Sequence, residues 1–365
     1  MASHGHKPTM NDNGQQQAPL RAVDLRNNLD LEAVVSQLDE TRVIYLGEVH
    51  DNYGHHLAQL EIIKGLHKRN PGIAIGLEMF QQPYQQHLDA FIAGSIDQQE
   101  MLRKTQWYDR WRYDYRLYKP VLDFAREQGI PLVALNISAE LKGRVSKVGI
   151  DGLNEEERAA IPAQIDKSDK EYEARLKQVF LEHMARGNRD FQRFVEVQLL
   201  WDESMAERSA RFLQEHSEKK LVVLVGGGHL MYGSGIPNRV DRRVGVTSAI
   251  ILPGDSRPVS PGVADFMIYP AVASLPKSGI MGVLLEDVEE GVRIAGVIGE
   301  SAAHKAGLEK DDIILGLYGE PVKTAGDIKG LLVEKKPGER VSVKVLRKLF
   351  LRGEEQLELE FPLGE

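Results

Sequence analysis

The chain contains no cysteine. That excludes disulfides, thiolate metal sites, a cysteine nucleophile, covalent haem attachment through CxxCH and a lipidated N-terminal cysteine. Any metal must therefore be held by His, Asp, Glu or Tyr. Positive charge is in deficit: 46 Lys+Arg stand against 54 Asp+Glu, for a formal charge of -8. Such a balance works against non-specific attraction to nucleic acid or to an anionic membrane, and no nucleic-acid partner is expected. No run approaches the roughly 18–20 apolar residues of a membrane span, and the opening stretch lacks a secretory apolar region. The chain as given reads as soluble, with membrane attachment expected only through a signal or anchor outside it. HExxH, GxSxG and GK[ST] are missing and Gly226–Gly235 does not fit GxGxxG, which removes support for ATP, NAD and serine-hydrolase chemistry.

What is present is the composition of a globular protein: 42% hydrophobic and 27% charged residues, with a mean hydropathy of -0.33. A length of 365 residues implies at least two domains. Residues 1–28 are polar and low in complexity, a native tail or an engineered scar in place of a removed signal. From Arg42 the text alternates short apolar runs, polar or Gly-rich turns and helical stretches, the grammar of an α/β domain spanning 29–255. Predicted strands are Val43–Leu46, Ile73–Leu77, Pro131–Leu135, Leu221–Val225 and Val246–Leu252. Several are continuously apolar, as buried parallel strands are, so a mostly parallel sheet flanked by helices is expected. A charged insert over about Asn154–His216 reads as two or three further helices. Pro253-Gly254, Pro258, Pro261-Gly262 and Pro270 mark a linker over 256–273. A small β-rich unit follows at 274–365, with helical segments near Ala302–Ala306 and Ala325–Glu334.

Polar residues stand at the carboxyl ends of these strands: Glu48 and His50 after the first, Glu78 after the second, Asn136 after the third, and Gly226-Gly227-Gly228-His229 after the fourth. In an open parallel sheet those ends lie side by side, and the crevice outside them binds ligands. A glutamate after a strand is ordinarily a cap and a lone histidine ordinarily structural. Four such residues at one edge point further, to a shared pocket of Glu48, His50, Glu78 and His229. His55 and His56 fall in the first turn of the predicted helix, as neutral ligands or as solvated residues. Trp107–Tyr118 interleaves aromatic rings and guanidinium groups, suiting either a planar anionic ligand or the packed face of an amphipathic helix.

Four separated segments carry a family resemblance: VIYLGEVHDNYGHHLAQ at Val43–Gln59, GLEMF at Gly76–Phe80, QLLWDESMA at Gln198–Ala206 and VVLVGGGHLMYGSGIPNR at Val222–Arg239. Together they resemble, in order, the ChaN family of haem-binding proteins, relatives of the Tiki, TraB and erythromycin-esterase proteins. The resemblance covers about Leu29 to Pro253. It implies a bacterial haem-binding protein of haem or iron uptake or handling in an exported, periplasmic or membrane-associated setting. Axial ligands would come from His50, His55, His56, His229, Tyr108, Tyr113 and Tyr115. The superfamily's other branches imply the alternative, a metal-dependent or acid–base hydrolase. Glu48, His50, Glu78 and His229 would then be catalytic, or would hold a divalent metal ion. Residues 274–365 resemble an HtrA-type PDZ domain: Ser278–Val283 stands at the carboxylate-binding loop, and Glu300–Ile314 matches the SPAxxAGLxxGDxI signature with Ala302 and Asp311 in place of its Pro and Gly. This implies that the C-terminal peptide of a partner protein is captured by Gly279, Ile280, Met281, Gly282 and Val283.

Overall fold

The computed structural model describes residues 28–183, 190–255, 259–349 and 353–365. The polar tail 1–28 lies outside them except for Asn28, as do 184–189 of the insert and 256–258 of the linker.

Six strands form the first sheet: β1 (Val43–Glu48), β2 (Ile73–Gln81), β3 (Leu132–Asn136), β4 (Lys220–Gly226), β5 (Ser248–Pro253) and β6 (Phe266–Ile268). Their order is β3-β2-β4-β1-β5-β6, and every pairing is parallel. All residues of β1, β2 and β3 are buried, because helices cover both faces. Alternation along each strand sorts the side chains into two cores. Ile44, Leu46, Ile75, Leu77, Val222 and Leu224 pack on one face, and Val43, Tyr45, Ala74, Leu221, Val223 and Val225 on the other.

The helix Tyr53–Arg69, capped by the Asn52 side chain, lies over the first face. The 25-residue helix Phe191–Glu215 lies over the second. The insert also supplies the helices Glu155–Ala159 and Lys170–His183. Two features differ from the sequence reading. The segment taken as linker contributes the edge strand β6. The aromatic stretch is no continuous helix: it breaks into the helix Trp107–Arg110 and the 3₁₀ turn Tyr115–Leu117, with Arg112 in the left-handed region at φ 71. Among the described residues, no helix is long and apolar enough to cross a membrane.

The second unit is an antiparallel sheet of β7 (Val283–Val288), β8 (Gly291–Val297), β9 (Ile313–Leu317), β11 (Arg340–Leu349) and β12 (Gly353–Pro362), with β10 (Glu320–Pro321) pairing β9. The strand β12, absent from the sequence reading, is mostly polar along its length and pairs with β11 over ten residues. The helices Ala302–Ala306 and Ala325–Leu332 close a separate apolar core. The second helix also touches the first unit: Lys329 Nζ stands 5.7 Å over the Tyr108 ring, and just beyond the helix Glu334 pairs with Lys119 at 3.1 Å.

Candidate functional site at the carboxyl edge of the parallel sheet

Parallel strands run toward one edge, and there the structure brings Glu48, His50, Glu78 and His229 together, although β2 continues past the predicted end at Leu77 to Gln81, so that Glu78 lies within the strand and not after it. Glu48 ends β1 and is 2% exposed. Its Oε1 accepts from the Tyr118 hydroxyl at 2.8 Å and from His50 Nδ1 at 2.9 Å, and its Oε2 from Gln59 Nε2 at 2.9 Å. His56 Nδ1 stands 3.3 Å from the same Oε2. Burial alone would raise the carboxyl pKa, but His56, His50 and Gln59 outweigh it and hold Glu48 below the ordinary range.

With Nδ1 committed to Glu48, His50 has only Nε2 unengaged. That edge of the ring passes over Gly226, where a Cβ would lie 3.0 Å from Cε1 and 3.1 Å from Nε2. Glycine at 226 is therefore a steric requirement of the site. Trp111 and Tyr113 flank the imidazole at centroid distances of 4.9 and 5.1 Å. Burial lowers the His50 pKa, yet Glu48 and Glu78 raise it above the ordinary value.

Glu78 Oε2 accepts the N–H of Gly226 at 2.7 Å, and its Oε1 stands 3.5 Å from His229 Nε2. His229 lies in the 3₁₀ turn Gly227–His229 after β4. Its Nδ1 bonds to Asp202, which accepts the Tyr172 hydroxyl at 2.5 Å. Burial pushes the imidazole down, but Asp202 and then Glu78 more than compensate, lifting its pKa to about 9. The result is a continuous Tyr172–Asp202–His229–Glu78 chain. Sequence reasoning did not find Tyr172 or Asp202, although Asp202 lies inside the QLLWDESMA segment; nothing local shows that an acid 27 residues before His229 turns toward it.

Of the four predicted pocket residues only His50 and Glu78 line the adjacent cavity of about 210 Å³, together with Trp111, Tyr113, Lys142 and Trp201 among others; Glu48 and His229 stand behind them. The remaining predicted ligands lie elsewhere. His55, 1% exposed, accepts from Val49 N–H at Nδ1 (3.0 Å) and meets Asp255 at Nε2 (2.9 Å). His56, equally buried, meets the His50 carbonyl at Nε2 (3.0 Å) and Gln59 Oε1 at Nδ1 (3.3 Å). Neither is a solvated first-turn residue, and neither has a nitrogen left over. Tyr115 is wholly inside the core, and Tyr108 lies under Lys329 of the second unit; neither lines the cavity. The divalent-metal arrangement read as an alternative is not formed. Among the described residues no three His, Asp or Glu are grouped to hold a metal ion, because the carboxylates are hydrogen-bonded to imidazole, phenol and backbone donors.

In the second unit the predicted carboxylate loop is partly used by the fold itself. Gly279 N–H donates to Lys335 C=O at 2.7 Å and Ile280 N–H to Gly364 C=O at 3.0 Å. Met281 and Gly282 N–H have no partner among the described residues. Met281 is packed into the core, Ile280 is exposed and Val283 is half-buried. Gly282 has φ 82, and a Cβ there would strike Ser301 Cβ at 2.4 Å, so the turn that presents these N–H groups needs glycine.

Comparison with known proteins places both units. Protein RETICULATA-RELATED 5 of Arabidopsis thaliana, a chloroplastic protein, is 25% identical over 275 residues, covering 66% of this chain and 36% of the relative. The serine protease Do-like HtrA of Bacillus subtilis is 38% identical over 72 residues, 20% of this chain and 16% of the relative. The chain thus spans well under half of either curated relative. A solved structure of ChaN from Campylobacter jejuni, described as showing cofacial haem binding, shares the fold at a TM-score of 0.55 and 19% identity, over 67% of this chain and 94% of that one. Residues 279–362 match the PDZ domain model and 34–240 the model for haem-binding uptake, Tiki superfamily, ChaN. With more than half of its length in the latter match, the chain belongs to the ChaN family of haem-binding uptake proteins, with a PDZ domain following the family domain.

Proposed function

We propose that the protein binds haem for haem or iron uptake at the edge defined by His50, and that its PDZ domain captures the C-terminus of a partner protein. The observation that carries the haem reading is the one-sided engagement of His50. Glu48 anchors Nδ1, orienting the ring and raising its basicity as carboxylate partners of ligating histidines do, while Nε2 faces the cavity beside Trp111 and Tyr113. Bound haem would present an iron in need of an N or O ligand, a flat apolar ring and two propionates. The residues fit: His50 or the half-exposed Tyr113 offers the ligand, Trp111 an aromatic face, and Lys142 a cation. A cavity of about 210 Å³ is smaller than the roughly 300–1,000 Å³ that encloses drug-sized ligands, so the macrocycle would lie across its mouth. The uptake role and an exported setting, periplasmic or membrane-associated, rest on the family alone.

Hemin titration followed at the Soret band tests this. Saturable one-to-one binding is expected, with the band shifted or lost in His50→Ala and weakened in Tyr113→Phe, and unmoved in His229→Gln. A band indifferent to both His50 and Tyr113 overturns ligation at this edge.

One observation favours a second reading. The Glu48-backed His50 and the Asp202-backed His229 both stand beside Glu78, an arrangement suited to acid–base hydrolysis. Turnover of an ester or peptide library that vanishes in Glu78→Gln, with no hemin binding, would reverse the assignment.

A further inference from the structure

Among the cations that line the cavity, one has nothing to pair with. Arg110 is saturated: its Nη atoms bond to Glu140 at 2.8 and 3.1 Å, Nη1 also to Gln81 at 2.9 Å, and Nε to Gln106 at 2.9 Å. Lys142 lies on the helix Ala139–Val148 just after β3. Its Nζ makes no hydrogen bond or ion pair among the described residues, and stands 4.0 Å from the centroid of the Trp201 ring. The nearby carboxylate, Glu78, is occupied by Gly226 N–H and faces His229. The ring attracts the ammonium from one side only, leaving its other N–H groups toward the cavity.

An ammonium removed from water without a counter-charge is costly. Burial accordingly draws the Lys142 pKa below its ordinary value, with the Glu78 charge opposing the change. A ligand that brings its own anion relieves that cost, whereas a neutral one does not. Packing of the alkyl stem on Trp201 explains where the side chain lies but does not use the head group.

Resting on the haem reading above, we infer that Lys142 is a specificity-determining residue of the cavity, recognising a carboxylate of the ligand, namely a haem propionate. The cavity is too small for the macrocycle but could admit one propionate, which Lys142 would hold. Selection is then against porphyrins whose acids are blocked.

The test compares hemin with its dimethyl ester on the full chain at matched detergent. Wild type is expected to bind hemin about tenfold or more tightly than the ester, in keeping with a charge-assisted bond against a neutral one. Lys142→Met keeps the stem and should remove that preference by weakening hemin alone, while Lys142→Arg should restore much of it. Hemin affinity unchanged in Lys142→Met overturns the inference and leaves haem binding standing. Equal weakening of hemin and ester assigns Lys142 a packing role and also overturns it. Absence of saturable hemin binding by wild type overturns both readings together.

Discussion

The two units handle charge in opposite ways. The parallel-sheet unit buries Glu48, Glu78, Asp202, Glu203 and Arg239 at 2% exposure or less, three of them at the carboxyl edge. Among its described residues the PDZ unit buries a single charged side chain, Asp312, paired with Arg347 at 2.6 Å. Burying ions is unfavourable unless every one is partnered. A fold that repeats the expense at one sheet edge has assembled a side-chain site there. The PDZ unit needs no such arrangement, since its candidate donors are backbone N–H groups set by a left-handed glycine. One site is built from titratable groups and sensitive to pH; the other is main chain and nearly indifferent to it.

That contrast is broken most forcefully at Glu48. Glu48→Leu leaves His50, His56, Gln59 and Tyr118 facing an apolar group. A loss of about 3–5 kcal/mol of unfolding free energy is expected, as when one partner of a buried ion pair is removed. Urea unfolding measures it, and a loss under 1 kcal/mol would show that the edge does not depend on this carboxylate.

The pH dependence comes next. His229 has a folded pKa of about 9, above the roughly 6.5 of a free histidine. Its stabilisation is therefore complete below about pH 6.5 and lost as pH rises through about 9, of order 3 kcal/mol in all. Unfolding titrations of wild type should lose stability over that window, and His229→Gln should flatten the loss. Glu48, held low, acts oppositely: its contribution is present above about pH 4.5 and disappears as pH falls further.

The smallest effect sharpens the main-chain side. C-terminal peptides bound by the PDZ unit of the full chain should exceed their amidated twins by about 1.5–3 kcal/mol in fluorescence polarisation, because Met281 and Gly282 N–H would hold a full negative charge. Acid and amide peptides binding equally would remove the carboxylate cradle.

Several of these elements are legible in the chain. The apolar runs of β1, β2, β3 and β4 mark buried parallel strands, and the residues at their carboxyl ends can be named from that pattern alone. The GGGH turn and the Ser278–Val283 loop are equally local. The strands β6 and β12 escaped notice because one lies among prolines and the other is mostly polar along an exposed edge. Asp202, Tyr172, Gln59 and Tyr118 escaped for a different reason: each reaches the site from a helix or turn through a tertiary contact with no sequence spacing of its own.

By itself, then, the sequence determined the order of the two units, the parallel strands of the first and the convergence of Glu48, Glu78 and the residues after β1 and β4, because side-chain alternation and chain direction are local properties. Only the tertiary structure decided which imidazole retains a nitrogen to offer. His55, His56 and His229 have both ring nitrogens facing partners, those of His229 and Nε2 of His55 from distant parts of the chain, and His50 alone of the four faces the cavity with Nε2 unengaged. Hydrogen-bond partners are assigned by packing, and packing joins residues that no sequence period connects.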